Sequence, residues 1–363
     1  MMALSKDIYK EFEDVVGEEN ICDHPVIMPA YHFSDLAAVV LPKNTEEVQA
    51  IVKLCNRHKI PFRGVSTGWS PRPFPAGIIY LDLRKMNRII EINEKNMYAV
   101  TEPYVITAQL QAELFKRGLN CNIKGAGSNC SAILRGHGHM DQTCSGDDRN
   151  QLAVEWVTPE GEIVRLGSLG SSDEWFCGDG PGPSLRGLFS GAVPPGITPG
   201  IFTKSAQKVY RWPGPAKFPV VGVSPNLTLS EIPPNMMIRY YSFPSLEKEF
   251  EAELKIGESE ISFELMCFSA AMVASNITTS NEQETEVFEQ LRHMVQGPGF
   301  LLIIAANSPE EFEYDQRVLQ QIISETGGKS LEPVEDPKIA GTLLCQCIRV
   351  SASIRETFRG GIF

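Results

Sequence analysis

Two stretches of this chain combine glycine with small polar residues, a pattern that lets backbone come close to a ligand. Arg63-Gly64-Val65-Ser66-Thr67-Gly68-Trp69-Ser70 presents small side chains and main-chain donors, and such a loop can approach a bound group without a Cβ in the way. Gly127-Ser128-Asn129-Cys130-Ser131-Ala132-Ile133-Leu134-Arg135-Gly136-His137-Gly138-His139 is the second, and it runs on to Gly146-Asp147-Asp148. A neutral imidazole at His137 or His139 could take a hydroxyl proton, or either ring could simply satisfy loop carbonyls. Between Gly167 and Pro199 the chain is dense in Gly, Pro and Ser, which reads as a binding surface or a mobile loop. No Ser-His-Asp order, HExxH, Walker A, EF-hand or GxGxxG spacing occurs, so hydrolase, nucleoside-triphosphatase and Rossmann readings have no residues to stand on.

Regular elements frame these loops. Ala37–Leu41 is a β-prone run stopped by Pro42, and Asn44 with Glu47 starts a capped helix whose apolar face is Val48, Ile51, Val52 and Cys55. Ile60-Pro61-Phe62 and Ile78–Leu81 bracket the first glycine-rich loop as strands. Residues 89–92 and 97–101 form a hairpin, Thr107 opens a helix ending at Gly118, and 152–157 pairs with 162–166 across Pro159-Glu160-Gly161. Residues 201–210 resume strand character, and the domain boundary is expected at about 220. Beyond it come a strand at 237–243, a helix capped by Ser245 with Leu246, Phe250 and Leu254 on one face, a helix over 284–295, a buried strand at 300–305, and a Ser308/Glu311 capping box opening a helix that lasts to Gly327-Gly328.

Composition narrows the function classes. The 363 residues are 42% hydrophobic and 21% charged with a net charge of −12, a globular composition long enough for two domains. An acidic chain without a Lys/Arg cluster is a poor nucleic-acid partner. The apolar stretch 300–306 is far short of the ~20 residues a bilayer span needs, and no secretory signal is visible, so a cytoplasmic protein is expected. Nine cysteines at irregular spacings without a CxxC pair fit reduced thiols, and no metal site is expected, Cys345 and Cys347 included.

Taken together, the βαβ unit leading to Arg63–Trp69, the run from Gly127 to Asp148, and Gly187-Leu188-Phe189-Ser190 leading to Gly200-Ile201-Phe202-Thr203-Lys204 resemble the FAD-binding domain of the vanillyl-alcohol oxidase/p-cresol methylhydroxylase superfamily, also found in glycolate oxidase and D-lactate dehydrogenase flavoproteins. The resemblance covers about residues 30–215. It implies an α+β fold, with a two-lobed PCMH-type FAD-binding domain at 30–220 after an N-terminal helical segment (1–29), and then a partial α/β cap domain at 221–363. It implies FAD as cofactor. In the first loop Arg63, Gly64, Val65, Ser66, Thr67, Gly68 and Trp69 would hold it, Arg63 as a phosphate partner or as a loop brace, Trp69 as a stacking or a core residue. From the second segment the resemblance brings Gly127, Ser128, Ser131, Ala132, Arg135, Gly136, Gly138, Gly146 and Asp147, with Pro103 beside them; Asp147 and Asp148 could bind ribose, orient an arginine or merely make a turn. Gly200, Ile201 and Phe202 complete the set, and His139 is the implied catalytic base. An overall acidic protein can hold two phosphates only through local amide dipoles, which glycine-rich turns supply without net charge.

Departures from the family pattern shape the expected activity. Ser66 stands where glycine is common, and Thr67-Gly68 where covalent-flavin members carry histidine, so attachment through that loop is not expected. Leu134 replaces the acidic residue of phenol-oxidising members. Gly191–Gly196 replaces a Ser- or Glu-containing turn. Relatives continue well past the equivalent of Arg359-Gly360-Gly361. The expectation is hydride removal from a carbon bearing a hydroxyl, a 2-hydroxy acid before a 4-substituted phenol, with an electron-relay or partner-dependent flavoprotein subunit as the rival reading. The electron acceptor is left open. A half cap should leave apolar surface for a homo- or hetero-oligomeric contact. In the cap strand, Tyr240 or Tyr241 could face substrate, and Arg239 could hold a carboxylate or be solvated.

Overall fold

The computed structural model describes residues 4–27, 31, 36–67, 75–121, 131–133, 151–176, 199–223 and 226–348. The chain forms two compact units, Met1–Leu110 with Asn129–His137 and Asp148–Val209, and Gln111–Ser128 with Gly138–Asp147 and Tyr210–Phe363.

The first unit opens with α1 (Lys6–Val16), β1 (Ile21–Cys22), β2 (Leu36–Val40), α2 (Thr45–His58), β3 (Phe62–Val65) and β4 (Ile78–Asp82). These strands make a sheet of order β1-β2-β4-β3, with β2 and β3 both parallel to β4. The start of α2 is capped as its residues predict: Asn44 Oδ1 accepts from Glu47 N at 2.8 Å, while the Glu47 carboxylate reaches past Asn44 to accept from Lys43 N at 2.9 Å. Val48, Ile51, Val52 and Cys55 are fully buried against β2 and β4 residues, so the apolar face read from the sequence is the one the helix buries. Burial pushes the Cys55 thiol up to about 12, which keeps it protonated and unreactive.

The expected strand at 60–62 lies instead at Phe62–Val65. Pro61 O accepts from Ile79 N at 2.8 Å, and the parallel register then carries on through Arg63 opposite Tyr80 and Gly64 opposite Leu81. Arg63, Gly64 and Val65 therefore belong to the end of a strand rather than to the loop.

A second lobe of this unit is an antiparallel sheet of order β5-β6-β10-β8-β9. Hairpin β5 (Ile89–Asn93) and β6 (Tyr98–Thr101) is followed by α3 (Thr107–Phe115) and by β7 (Leu119–Asn120) in the second unit; then come β8 (Gln151–Val157), β9 (Ile163–Gly167), the short α4 (Ser168–Ser172) and β10 (Ile201–Lys208). Gly161 turns the β8–β9 hairpin at φ +86°, a backbone state that favours glycine. Val157 and Ile201 from this sheet join the core beneath α2, which locks the two lobes together.

The second unit continues with β11 (Tyr210–Arg211), paired with β7, and the ribbon β12 (Val220–Val223) and β13 (Asn226–Leu229). Its main sheet has order β15-β16-β14-β17, all antiparallel. Around it run β14 (Met236–Ser242), α5 (Leu246–Ser259), β15 (Glu264–Cys267), α6 (Ala270–Ile277), α7 (Asn281–Leu291), β16 (Gly299–Ala305), α8 (Pro309–Thr326), β17 (Lys329–Ser330) and α9 (Pro337–Cys347). The strand expected to be buried is buried from Gly299 to Ile304. Ser308 Oγ caps α8 by accepting from Glu311 N, and Gly327 ends it at φ +75°.

The α5 face read from the sequence does not pack. Leu246, Phe250 and Leu254 are 55%, 56% and 64% exposed, while Glu249, Ala252, Glu253 and Ile256 turn inward. Ala252 and Ile256 meet Leu265, Phe300 and Leu302 of the sheet; a small residue lets the helix sit close there, and the longer apolar row is left outside. Tyr240 is likewise a core residue, 1% exposed among Met266, Leu301 and Ile303. Tyr241, on the opposite sheet face, packs edge-on against Phe300 at 6.2 Å. The Tyr240 ring is thereby withdrawn from any substrate, while Tyr241 stays half-buried on the other layer, because period-two alternation sends the two to opposite faces.

Candidate functional site

Two of the sequence-predicted segments touch within the first unit, and the described part of the other is joined to one of them through hydrogen bonds. Gly64 is the tightest point. A Cβ built on it would lie 3.0 Å from Ile201 Cγ1, 3.2 Å from Cδ1 and 3.3 Å from Cγ2, so the end of β3 and the start of β10 touch only because residue 64 has no side chain. Val65 turns the other way, into an apolar cluster with Leu36, Val39, Ile78 and Tyr80, and offers the site its main chain alone. Ser66 and Thr67 follow as half-buried bends. Arg63 lies beside Tyr80, whose phenol is held up by burial and by the charge of Asp82 and so stays a neutral donor.

The start of β10 is fixed by its own turn. Gly200 adopts φ +84°, and a Cβ there would fall 2.4 Å from Val157 O and 2.5 Å from Trp156 Nε1. The Trp156 indole N–H donates to Pro199 O at 2.9 Å, and its ring lies 6.2 Å from that of Phe202.

The second segment docks onto the corner after β6. Ser131 Oγ donates to Pro103 O at 2.6 Å, Ala132 N donates to Val105 O at 2.7 Å, and Ser131 bridges Ile106. That corner is held by Glu102, buried, which takes bonds from Arg88 Nη2 at 2.7 Å and from Arg88 N at 2.8 Å. Pro103, Ser131 and Ala132 are thus brought together, and a relay joins them to β10: Gln151 Nε2 donates to Ile133 O at 3.0 Å and Ser205 Oγ donates to Gln151 Oε1 at 2.7 Å. Gly68, Trp69, Gly127, Ser128, Arg135, Gly136, His137, Gly138, His139, Gly146, Asp147 and Asp148 lie outside the described residues.

Sequence reasoning missed the polar interior of this sheet. Thr101, Thr203, Ser205 and Gln207 are fully buried on β6 and β10. Ser205 stands opposite Thr101 in the register. Glu155, 5% exposed, accepts from Thr45 Oγ1 at 2.7 Å, Lys204 Nζ at 2.8 Å and Thr203 Oγ1 at 3.1 Å. Burial alone would raise its pKa, but the bonds from Lys204 and Thr45 outweigh it and hold the carboxylate below its ordinary range. This carboxylate ties the first turn of α2 to β10, so it sets how the two lobes of the unit sit against each other. The available signal was the composition of 201–208: a strand with Thr, Lys, Ser, Gln and Lys in both phases has no obvious solvent face, yet it lies mid-chain between buried neighbours.

The arrangement is the two-lobed domain that the resemblance implies. A parallel βαβ lobe abuts an antiparallel sheet at Gly64 and Ile201, and glycine turns and a buried polar face lie along the join. FAD fits the residues present. Thr101 Oγ1 is buried without a hydrogen-bond partner among the described residues, which calls for a polar occupant.

Comparison with known proteins gives the cofactor domain and the fold. Residues 36–167 match the family described as an FAD binding domain. The chain is 30% identical over 207 residues, 50% of its length, to the 4-cresol dehydrogenase [hydroxylating] flavoprotein subunit of Pseudomonas putida, covering 39% of that protein. It is 28% identical over 306 residues, 81% of its length, to the D-2-hydroxyglutarate dehydrogenase of Stutzerimonas stutzeri, covering 64% of that protein. Among solved structures, p-cresol methylhydroxylase with substrate bound superposes with a TM-score of 0.71 at 18% identity, over 97% of this chain and 70% of that one. Residues 36–167 form an FAD binding domain, FAD is the cofactor that such a domain takes, and the chain shares the fold of p-cresol methylhydroxylase. It spans less than two thirds of the length of these two curated relatives. No helix among the described residues is long and apolar enough to cross a membrane.

Proposed function

We propose that this protein is an FAD-dependent oxidoreductase that removes a hydride from a carbon bearing a hydroxyl, with small 2-hydroxy acids as its substrate class. The observation that carries the proposal is the junction of Gly64 with Ile201 beside a buried polar face, in a domain whose match to a D-2-hydroxyglutarate dehydrogenase runs over four fifths of the chain. Bound FAD supplies the hydride acceptor, N5 of its ring. The main chain at 64–67 and the turn at Gly200 would hold the diphosphate, and Thr101 and Ser131 would supply hydroxyls to the cofactor's polar edge. His139 is proposed to take the substrate hydroxyl proton on a ring nitrogen. Residues 30–220 are assigned to the FAD-binding domain and 221–363 to a partial substrate or cap domain.

Oxidation of a 4-substituted phenol is the second reading, supported by the 4-cresol dehydrogenase match and weakened by Leu134. The exposed row of Leu246, Phe250 and Leu254 supports a version in which a partner chain, or another copy, completes the enzyme or takes its electrons.

Purified protein should carry a yellow flavin that acid releases, and anaerobic D-2-hydroxyglutarate or D-lactate should bleach it. Bleaching by 4-methylphenol alone transfers the assignment to phenols. Colour without bleaching by either class supports the partner-dependent form. Failure to take up FAD on reconstitution refutes all three.

A further inference from the structure

The inward face of α5 carries an unusual load. Glu249 and Glu253, one helical turn apart, are 4% and 5% exposed, and Cys267 of β15 lies against them. One carboxylate oxygen from each and Cys267 Sγ all lie within 4.8 Å of one another. Cys267 Sγ is 3.5 Å from Glu253 Oε1, within hydrogen-bonding reach. The neighbouring lysines are engaged elsewhere, Lys248 with Glu251 and Lys255 with Glu251 and Glu325. Glu249 is the telling member: its carboxylate takes no hydrogen bond and no ion pair among the described residues, although it is almost wholly buried and points into the cluster. A buried carboxyl without a partner is costly, and here it stands beside a second carboxylate and a thiol, donor types that a borderline-soft divalent cation accepts.

We propose that Glu249, Glu253 and Cys267 form a binding site for a zinc-class divalent metal ion, with water as the fourth ligand. The geometry is close to what such an ion needs. Bonds of about 2.0–2.2 Å to oxygen and about 2.3 Å to sulfur put tetrahedral ligands under about 4 Å apart, so ligand atoms already within 4.8 Å close on the ion by small side-chain rotations. The two glutamates at i and i+4 present both oxygens from one rigid helix, and β15 presents the sulfur from the sheet beneath. On binding, the Cys267 proton and any proton held by the two carboxyls leave to solvent, and two carboxylates and one thiolate more than balance the dication, leaving the site with a net charge of about −1. The ion would pin α5 to the edge strand β15, a structural role in the second unit that is independent of the flavin reaction.

The test uses the full-length protein with its flavin. Chelator-treated protein is loaded with zinc, passed over a desalting column in the presence of a weak competing chelator, and assayed for metal by mass spectrometry. One equivalent per chain is expected. Replacing zinc with Co2+ should give ligand-field bands of tetrahedral intensity at wavelengths beyond the flavin absorption. Glu249→Gln, which keeps the side-chain shape, and Cys267→Ser should each weaken zinc binding at least about tenfold, in line with the loss of a ligand, while Cys345→Ser leaves it unchanged. Zinc should also raise the unfolding temperature of the wild type and not of Glu249→Gln. Retention of well under about 0.1 equivalent by the wild type overturns the proposal, as does zinc binding that both variants leave intact; in either case the carboxyls share a proton instead.

Discussion

The contact between Gly64 and Ile201 makes a quantitative prediction about how the two lobes of the cofactor unit are joined. In Gly64→Ala the new methyl meets three Ile201 carbons at 3.0–3.3 Å, about 0.2–0.5 Å inside even the short end, about 3.5 Å, of ordinary carbon contact. Ile201 is 3% exposed and packed beneath α2, so it has little room to yield, and overpacking of this kind costs about 1–3 kcal/mol. Ile201→Ala removes all three opposing carbons and should cost about 2–5 kcal/mol by leaving a cavity. In the double variant the methyl introduced at position 64 occupies part of that cavity, so its destabilisation should fall short of the sum by about 1–2 kcal/mol. Denaturant unfolding of the apo-protein measures all four corners of the cycle. FAD titration provides the functional readout: if Gly64→Ala relieves its strain by moving β3 away from β10, cofactor affinity falls about tenfold for each ~1.4 kcal/mol, and the double variant recovers part of it. Additivity within about 0.5 kcal/mol, with unchanged FAD affinity in Gly64→Ala, would refute the idea that these strand ends abut at the cofactor.

Other substitutions test separate parts of the argument. Glu155→Gln should cost about 2–4 kcal/mol in denaturant unfolding, since it strips a buried carboxylate from Lys204, Thr45 and Thr203, and Lys204→Met in the same background should recover part of the loss; independence of the two refutes the pairing. Thr101→Val removes a buried hydroxyl that has no partner among the described residues, so the apo-protein should gain about 1 kcal/mol while FAD binds several-fold more weakly; equal effects on apo- and holo-protein would show that the hydroxyl does not serve the cofactor. Burial, then the charge of Glu311, raises the Asp315 carboxyl from 3.8 to about 6. The folded state therefore binds this proton more tightly than the unfolded chain, so stability falls as pH climbs from about 4 to about 6 and the full penalty applies above that. At about 1.36 kcal/mol per pH unit this amounts to about 3 kcal/mol. Asp315→Asn should stabilise the protein by up to that amount at about pH 7.5 and by almost nothing at about pH 3.5, measured as the shift in denaturation midpoint; a pH-independent gain refutes the burial argument.

Legibility from sequence followed the locality of the cause. The α2 and α8 starts were readable because Asn44/Glu47 and Ser308/Glu311 act over three residues, and the β5–β6 and β8–β9 hairpins because turn residues lie between β-rich runs. The register of β3 was not, since it depends on which residues of β4, well over a dozen positions away, accept the pairing; Arg63–Val65 looks like loop until Tyr80 and Leu81 are placed beside it. The site divides in the same way. Gly64 and Gly200 announce close approach by lacking a Cβ, yet neither says what it approaches, and the partners, Ile201 for one and Val157 and Trp156 for the other, are fixed only by folding. Thr101, Ser205 and Gln151 were invisible because an isolated polar residue in a strand reads as a solvent-facing one.

The α5 helix shows the limit of periodicity as an argument. Its strongest apolar repeat, Leu246, Phe250 and Leu254, is the face left in solvent, and its inward face holds two carboxylates. A helix packs whichever face the sheet can accept at the available spacing, and against β16 that spacing suits Ala252 and Ile256. Two costs result, an exposed apolar row and buried charge, and a fold keeps neither without compensation. A protein surface over Leu246, Phe250 and Leu254 would remove the first cost, and a cation at Glu249, Glu253 and Cys267 the second. The two are separable by experiment, because Phe250→Ser should abolish association without altering zinc content, whereas Glu249→Gln should do the reverse. If Phe250→Ser instead releases the metal, the helix is held in its orientation by the apolar row, and the carboxylates are buried as a consequence of packing rather than for a ligand.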